Sequence, residues 1–347
     1  MRNTLKAFLL AALLFAFIAD GTRAGEKLSG QKLIVGTMAN CLGLPVRQAQ
    51  VAGYFKEVGL DVEILIFATG APINEAMSAG KLDMAVSGMA TVHALATGRF
   101  TYIGDGMITT GGETIYARPD SVYAKTPGPK PNLFGDAKTV KGAKILGPVA
   151  TAAHFNAIKY VEALGLTAED FDMVGMDYAG AQQAFITGQG DLVASSPPFS
   201  NQLDSQGYFP VSDLYGSLGI TLVDANYAQN SVLKDRRADL VAFLECYYRA
   251  SDDLNKDPDL RRKVGREWYA EEGRTVSDKE MEDEIRQKTY NTLDTLLTPG
   301  HGFGECMLTI GEFFTEQGMI RERNLPNIEK SMDPSLVQDL KAKWGKK

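Results

Sequence analysis

The chain has 347 residues with 36 Lys and Arg against 43 Asp and Glu, a formal charge of −7, and only three Cys and three His. An acidic chain without a basic run argues against nucleic acid and anionic membrane surfaces as partners. Cys41, Cys246 and Cys306 are widely spaced and form no Cys/His cluster with metal-ligand spacing, so neither a metal nor a cofactor is expected.

Residues 1–24 carry Arg2 and Lys6, then an apolar run over 7–19, and end in Thr22-Arg23-Ala24. That is the pattern of a cleaved secretory signal peptide, with an apolar core too short to span a bilayer. A mature protein beginning at Gly25 and working in the periplasm is the expectation. Losing Arg2, Lys6, Arg23 and Asp20 takes its charge to −9. No later stretch is apolar enough to cross a membrane. In an oxidising compartment one disulfide could form, Cys246–Cys306 being the favoured pair, with separate buried thiols an equal alternative.

From residue 32 short apolar runs alternate with helical patterns. Strands are expected over 32–37, 61–67, 82–87 and 101–107, with helices between them from Pro45, over 71–79 and over 90–97. Residues 119–139 hold Pro127, Gly128, Pro129, Pro131 and Gly135 and read as a connection. A second series follows: strands over 143–147, 171–176 and 191–195, helices over 151–164 and 179–187. After a strand-like run over 220–224 the chain turns mostly helical, with long helices over 238–253 and 305–318. Two α/β units imply two lobes, each a mainly parallel sheet flanked by helices. Residues 25–112 and 214–347, including a helical C-terminal extension, are assigned to lobe 1, and residues 113–213 to lobe 2.

Ligands of open α/β sheets sit beyond the carboxyl ends of the strands, near helix N-termini. The loops to search are therefore 38–44, 68–71, 88–90, 148–152, 177–180 and 196–199. Small residues in several of them would admit a ligand to backbone N–H groups, although capping alone would select the same residues. His154, in a first helical turn, is expected to be a neutral imidazole. Phe67 and Tyr178 could stack on a planar ligand, and Arg47 could pair with an acid at the cleft mouth. For each, packing or a solvated surface is the competing role. No G-x-S-x-G elbow is present, and nothing orders a triad around His93, His154 and His301.

Gly53-Tyr-Phe-Lys-Glu-Val-Gly-Leu-Asp-Val-Glu63 resembles the GYF…GLDVE signature of ABC-transporter solute-binding proteins that serve nitrate, sulfonates, taurine and thiamine precursors. Residues 76–85, 147–155 and 184–191 are similar to further segments of that family. The resemblance implies a two-lobed periplasmic-binding-protein (type II) fold that closes on a small solute and hands it to an inner-membrane ABC permease, acting as a monomer. It places ligand contacts at Met38, Asn40, Thr69, Gly70, Ser87, Gly88, Met89, Thr151, Ser195 and Ser196; Phe67, His154 and Tyr178 complete the candidate set. Where sulfonate binders often have Gly-Ser, this chain has Ala150-Thr151, and Met38, Met89 and Met107 suggest an apolar wall. A small organic acid, sulfonate or heterocycle is thus expected in preference to nitrate or taurine. A periplasmic sensor subunit and an exported enzyme on the same fold are the alternatives. The relatives that make the thiamine pyrimidine use clustered cysteines, which this chain lacks.

Overall fold

The computed structural model describes residues 27–344, so the signal-peptide expectation lies outside the described residues. No helix among the described residues is long and apolar enough to cross a membrane. Among the described residues eleven strands form two sheets. In chain order they are β1 (Leu33–Thr37), β2 (Val62–Ile66), β3 (Met84–Ser87), β4 (Phe100–Thr109), β5 (Thr114–Ala117), β6 (Lys144–Gly147), β7 (Asp172–Gly175), β8 (Leu192–Ser195), β9 (Phe209–Asp213), β10 (Leu222–Gln229) and β11 (Lys288–Tyr290).

The first sheet has six strands in the order β11-β4-β10-β3-β1-β2, the second five in the order β7-β6-β8-β5-β9. Every strand from Thr114 to Asp213 belongs to the second sheet, and the chain passes between sheets twice, over 110–113 and 214–221. Below, each sheet with its helices is called a lobe.

Most strands of each sheet run one way, as expected of mainly parallel sheets: β1 to β4 in the first and β6 to β9 in the second, with β10, β11 and β5 running against them. Parallel pairing joins β1 to β2 and β3, and β6 to β7 and β8. The antiparallel pairs involve β10 with β3 and β4, β11 with β4, and β5 with β8 and β9. A right-handed βαβ crossover keeps successive strands parallel. The first strand after each passage, β5 or β10, enters its sheet without such a crossover and runs against the parallel strands, while β4 and β9, which precede the passages, run with them.

The central strands β1, β3, β5 and β8 are mostly buried because helices cover both faces, while the edge strands β2 and β7 are partly exposed. One core gathers Leu33, Val35, Met84, Ile103, Phe243 and Tyr247 under the long helix Arg237–Lys256. A second lies on the opposite face, with Leu82, Ala85, Tyr227, Phe313 and Phe314 under the helix Glu305–Glu316. Lobe 2 is filled by Ile115, Ile145, Tyr160, Val161 and Val211. No disulfide joins the three cysteines; the Cys306 sulfur instead accepts from the Val223 N–H at 3.2 Å. The 119–139 connection carries two one-turn helices, Val122–Lys125 and Ala137–Val140, the second closed by a reciprocal Asp136–Thr139 capping box.

Candidate functional site

A cavity of about 200 Å³ opens between the two lobes. Lobe 1 supplies the loops after β1, β2 and β3, the end of β4 and the start of β10. Lobe 2 supplies the loops after β6, β7 and β8. The carboxyl ends of the parallel strands of both sheets therefore face one space.

Each loop is shaped by local chemistry. After β1, Asn40 Oδ1 accepts from the Leu42 N–H at 3.1 Å and caps the turn Cys41–Gly43. Gly43 is required there: a Cβ would stand 2.3 Å from the Met38 carbonyl oxygen and 2.6 Å from the Trp268 ring. Thr69 is the N-cap of the helix Gly70–Ser78 but its side chain makes no capping bond. Thr151 is the N-cap of the helix Ala152–Ala163, and its hydroxyl donates to the Pro148 carbonyl at 2.7 Å. Ala150 has φ +59°, the left-handed region that glycine favours. This is the position where the sulfonate-binder pattern has glycine; the turn survives here with an alanine in it.

Of the candidate residues, Met38, Asn40, Thr69, Gly70, Gly88, Met89, Thr151, Tyr178 and Ser196 line the cavity. Phe67, Ser87, His154 and Ser195 stand outside its lining. Ser87 and Ser195 end β3 and β8 and are buried, while Phe67 packs against the lobe 1 core. His154 Nδ1 accepts from the Ala150 N–H at 3.2 Å, and burial lowers its pKa, so the ring is a neutral cap of that turn. Arg47 turns away to Glu271 and Gln50.

The sequence reading missed the charged floor of the cavity: Glu113, Asp224 and Lys288, together with Arg274 on the loop after the helix Pro258–Glu271. Glu113 lies where the chain first enters lobe 2. Its Oε1 accepts from Lys288 Nζ at 3.1 Å, its Oε2 from the Ser196 hydroxyl, and its backbone carbonyl from Asn156 and the Leu214 N–H. Lys288 Nζ also donates to Thr109 Oγ1 at 3.3 Å. Burial is the largest single influence on the Lys288 ammonium and lowers its pKa, but the Glu113 charge and hydrogen bond, with further contributions from Cys41 and Asp224, together hold it above the usual lysine value. One buried ion pair thus ties β11 of lobe 1 to the entrance of lobe 2.

Asp224 is 8% exposed, and its Oδ2 has no hydrogen-bond partner among the described residues. Burial pushes its carboxyl up to about 8; Lys288 pulls it back and Glu113 adds to the rise. Burial, with some help from the Glu113 charge, likewise raises the Tyr178 hydroxyl to about 12. The Tyr178 ring stacks on Phe199 with centroids 5.9 Å apart and planes 7° apart, and its hydroxyl lies 3.0 Å from Ser196 Oγ. Cys41 also lines the cavity, but burial pushes its thiol up to about 12, so it is protonated at neutral pH. No group of three or more His, Cys, Asp or Glu suited to a metal occurs among the described residues.

Residues 43–104 match the family model described as NMT1/THI5 like, a span that contains the 53–63 and 76–85 motifs. A Brachyspira hyodysenteriae protein, assigned by name as an ABC transporter periplasmic binding protein, is 26% identical over 345 residues, covering 97% of this chain and 99% of that one. Over nearly its whole length the chain is thus similar to a protein named as an ABC-transporter periplasmic binding protein. Among solved structures, the alkanesulfonate-binding protein SsuA of Xanthomonas axonopodis pv. citri, bound to MOPS, superposes with a TM-score of 0.68 at 17% identity, covering 87% of this chain and 98% of that one. The fold is that of the periplasmic binding proteins. Enzymes share it at greater distance. The desulfurization enzyme DSZB aligns with a TM-score of 0.62 at 13% identity over 90% of this chain and 99% of its own. A 4-amino-5-hydroxymethyl-2-methylpyrimidine phosphate synthase of Saccharomyces cerevisiae is 30% identical over 140 residues, only 39% of this chain and 38% of that enzyme.

Proposed function

We propose that this periplasmic-binding-protein relative is the non-catalytic solute-binding component of an ABC importer, working in the periplasm as a monomer. It captures a small organic ligand between lobe 1 (25–112 and 214–347) and lobe 2 (113–213) and delivers it to the inner-membrane permease. The observation that carries this reading is the cavity lined by strand-end loops of both sheets, because a ligand that touches both lobes favours the closed form. The contacts we assign are Met38, Asn40, Thr69, Gly70, Gly88 and Met89 from lobe 1, and Thr151, Tyr178 and Ser196 from lobe 2.

An enzyme on this fold needs a reactive group at the cavity. Cys41 is the thiol there, and a pKa near 12 leaves it un-ionised and a poor nucleophile. A sensor subunit would share the binding step and differ in the partner that reads closure.

The test is a thermal-shift and calorimetric screen of residues 25–347, refolded to strip carried-over ligand, against sulfonates, carboxylates, aromatic acids, amino-heterocycles and nitrate. The reading expects one class to bind 1:1 and be recovered unchanged. At about a hundred times its Kd, such a ligand stabilises the folded state by about 2.7 kcal/mol. Chemical conversion of the bound compound would overturn it.

A further inference from the structure

Asp224 is a buried acidic side chain on the cavity that the fold does not use. It sits near the start of β10, directly after Leu222 and Val223, and makes no ion pair among the described residues: Lys288 is bonded to Glu113 and Thr109 instead. Its Oδ2 is buried without a partner. Leaving such an oxygen unsatisfied costs about 1–3 kcal/mol, a penalty that a ligand donor would remove. The surrounding wall is soft and apolar, formed by Met38, Met89, Met107 and Leu222, and the stacked Tyr178–Phe199 pair stands on the lobe 2 side.

We propose that Asp224 is the specificity-determining residue of the cleft and selects a planar ligand that presents N–H donors, an amidine or amino-heterocycle, over sulfonates and carboxylates. The proposal rests on the binding-protein reading above and gives it a ligand class. At neutral pH the buried carboxyl keeps its proton and offers one O–H donor beside one carbonyl acceptor. The ring nitrogen and adjacent N–H of an amino-heterocycle complement that pair, while a cationic amidinium pairs with both oxygens of the ionised form. The flat face suits the aromatic pair and the thioethers. A sulfonate placed against Asp224 would meet either a second negative charge or a single carboxyl proton. Gly88 keeps the approach open, since a Cβ there would stand 3.2 Å from Asp224 Oδ1.

Arg274 is the counterweight. It lines the same cavity, its guanidinium lies 5.0 Å from the centroid of the Tyr269 ring, and it makes no ion pair among the described residues. If Arg274 rather than Asp224 set the selectivity, anions would win.

The experiment is calorimetric titration of refolded 25–347 with benzamidine and 4-aminopyrimidine against benzenesulfonate, MOPS and benzoate, on wild type, Asp224→Asn and Gly88→Ala. The expected result is that an N–H probe binds at least tenfold more tightly than every anion. Asp224→Asn should weaken that probe at least tenfold. Gly88→Ala, which keeps the carboxyl and crowds it, should weaken it too; it covers the case in which Asp224→Asn fails to fold. Tighter binding of an anion, unchanged in Asp224→Asn, overturns the assignment and leaves the binding-protein reading standing. Absence of binding by both N–H probes also overturns it. Failure of the binding-protein reading itself would show separately, as conversion of a bound probe to product.

Discussion

Replacing Asp224 by asparagine should flatten the pH dependence of stability. Burial raises this carboxyl to about 8, far above its ordinary value of 3.8. Between those two values the folded chain holds a proton that the unfolded chain has lost. The stabilisation is therefore complete below about pH 4 and is lost as pH rises through about 8. One proton corresponds to about 1.4 kcal/mol per pH unit, so wild type should lose up to about 4 kcal/mol through this group between pH 5 and pH 8. The amide of Asp224→Asn carries no such proton. The groups facing the site, Glu113, Lys288, Tyr247 and Cys306, remain in both proteins, and the difference between them isolates the carboxyl. Urea unfolding of both proteins at half-unit steps from pH 5 to pH 8 measures it. The variant should gain on wild type steadily across that range. Parallel stability curves would refute the burial and protonation of Asp224.

Breaking the Glu113–Lys288 pair should cost far more than a surface bridge. Glu113→Gln or Lys288→Met alone leaves a buried charge without its partner and should destabilise by about 3–5 kcal/mol, while the double variant should cost much less than their sum in a double-mutant cycle. Ala150→Gly should stabilise by about 1 kcal/mol in urea unfolding, because it removes a Cβ from a left-handed turn. Cys41 should resist iodoacetamide in the folded protein at pH 8 and react once unfolded, as mass spectrometry of its peptide would show.

The strands that alternate with helices were plain in the sequence: β1 to β4 and β6 to β8 fall on expected runs, within a few residues at their ends, and β10 begins on one but runs five residues past its expected end. The three that escaped have local reasons. β5 is four residues, all buried, with no alternation to read. β9 contains Pro210, which argues against a strand interior and is tolerated because β9 is an edge. β11 has three residues and continues directly from the helix Asp278–Gln287.

The site divides in the same way. Loops that follow parallel strands were found from position alone, since topology places them. Glu113, Lys288 and Arg274 carry no motif and meet only through the passages between lobes and the C-terminal helices. Asp224 had one signal, a carboxylate closing the strand expected over 220–224, which in the structure continues through it to Gln229. Ser87 and Ser195 were expected at the site as strand-terminal hydroxyls. The last residue of a strand in the middle of a sheet still faces a packed layer, and both lie outside the cavity lining.

Capture of one ligand by both lobes is what the function stands on. The most direct measurement is calorimetric titration of the best-binding screen compound into wild type, the lobe 1 variant Gly88→Ala and the lobe 2 variant Tyr178→Ala, each checked for an unchanged circular dichroism spectrum. Two-lobe capture predicts 1:1 binding to wild type and at least tenfold weaker binding to each variant. Wild-type affinity in either variant would place the ligand on a single lobe and contradict capture between them.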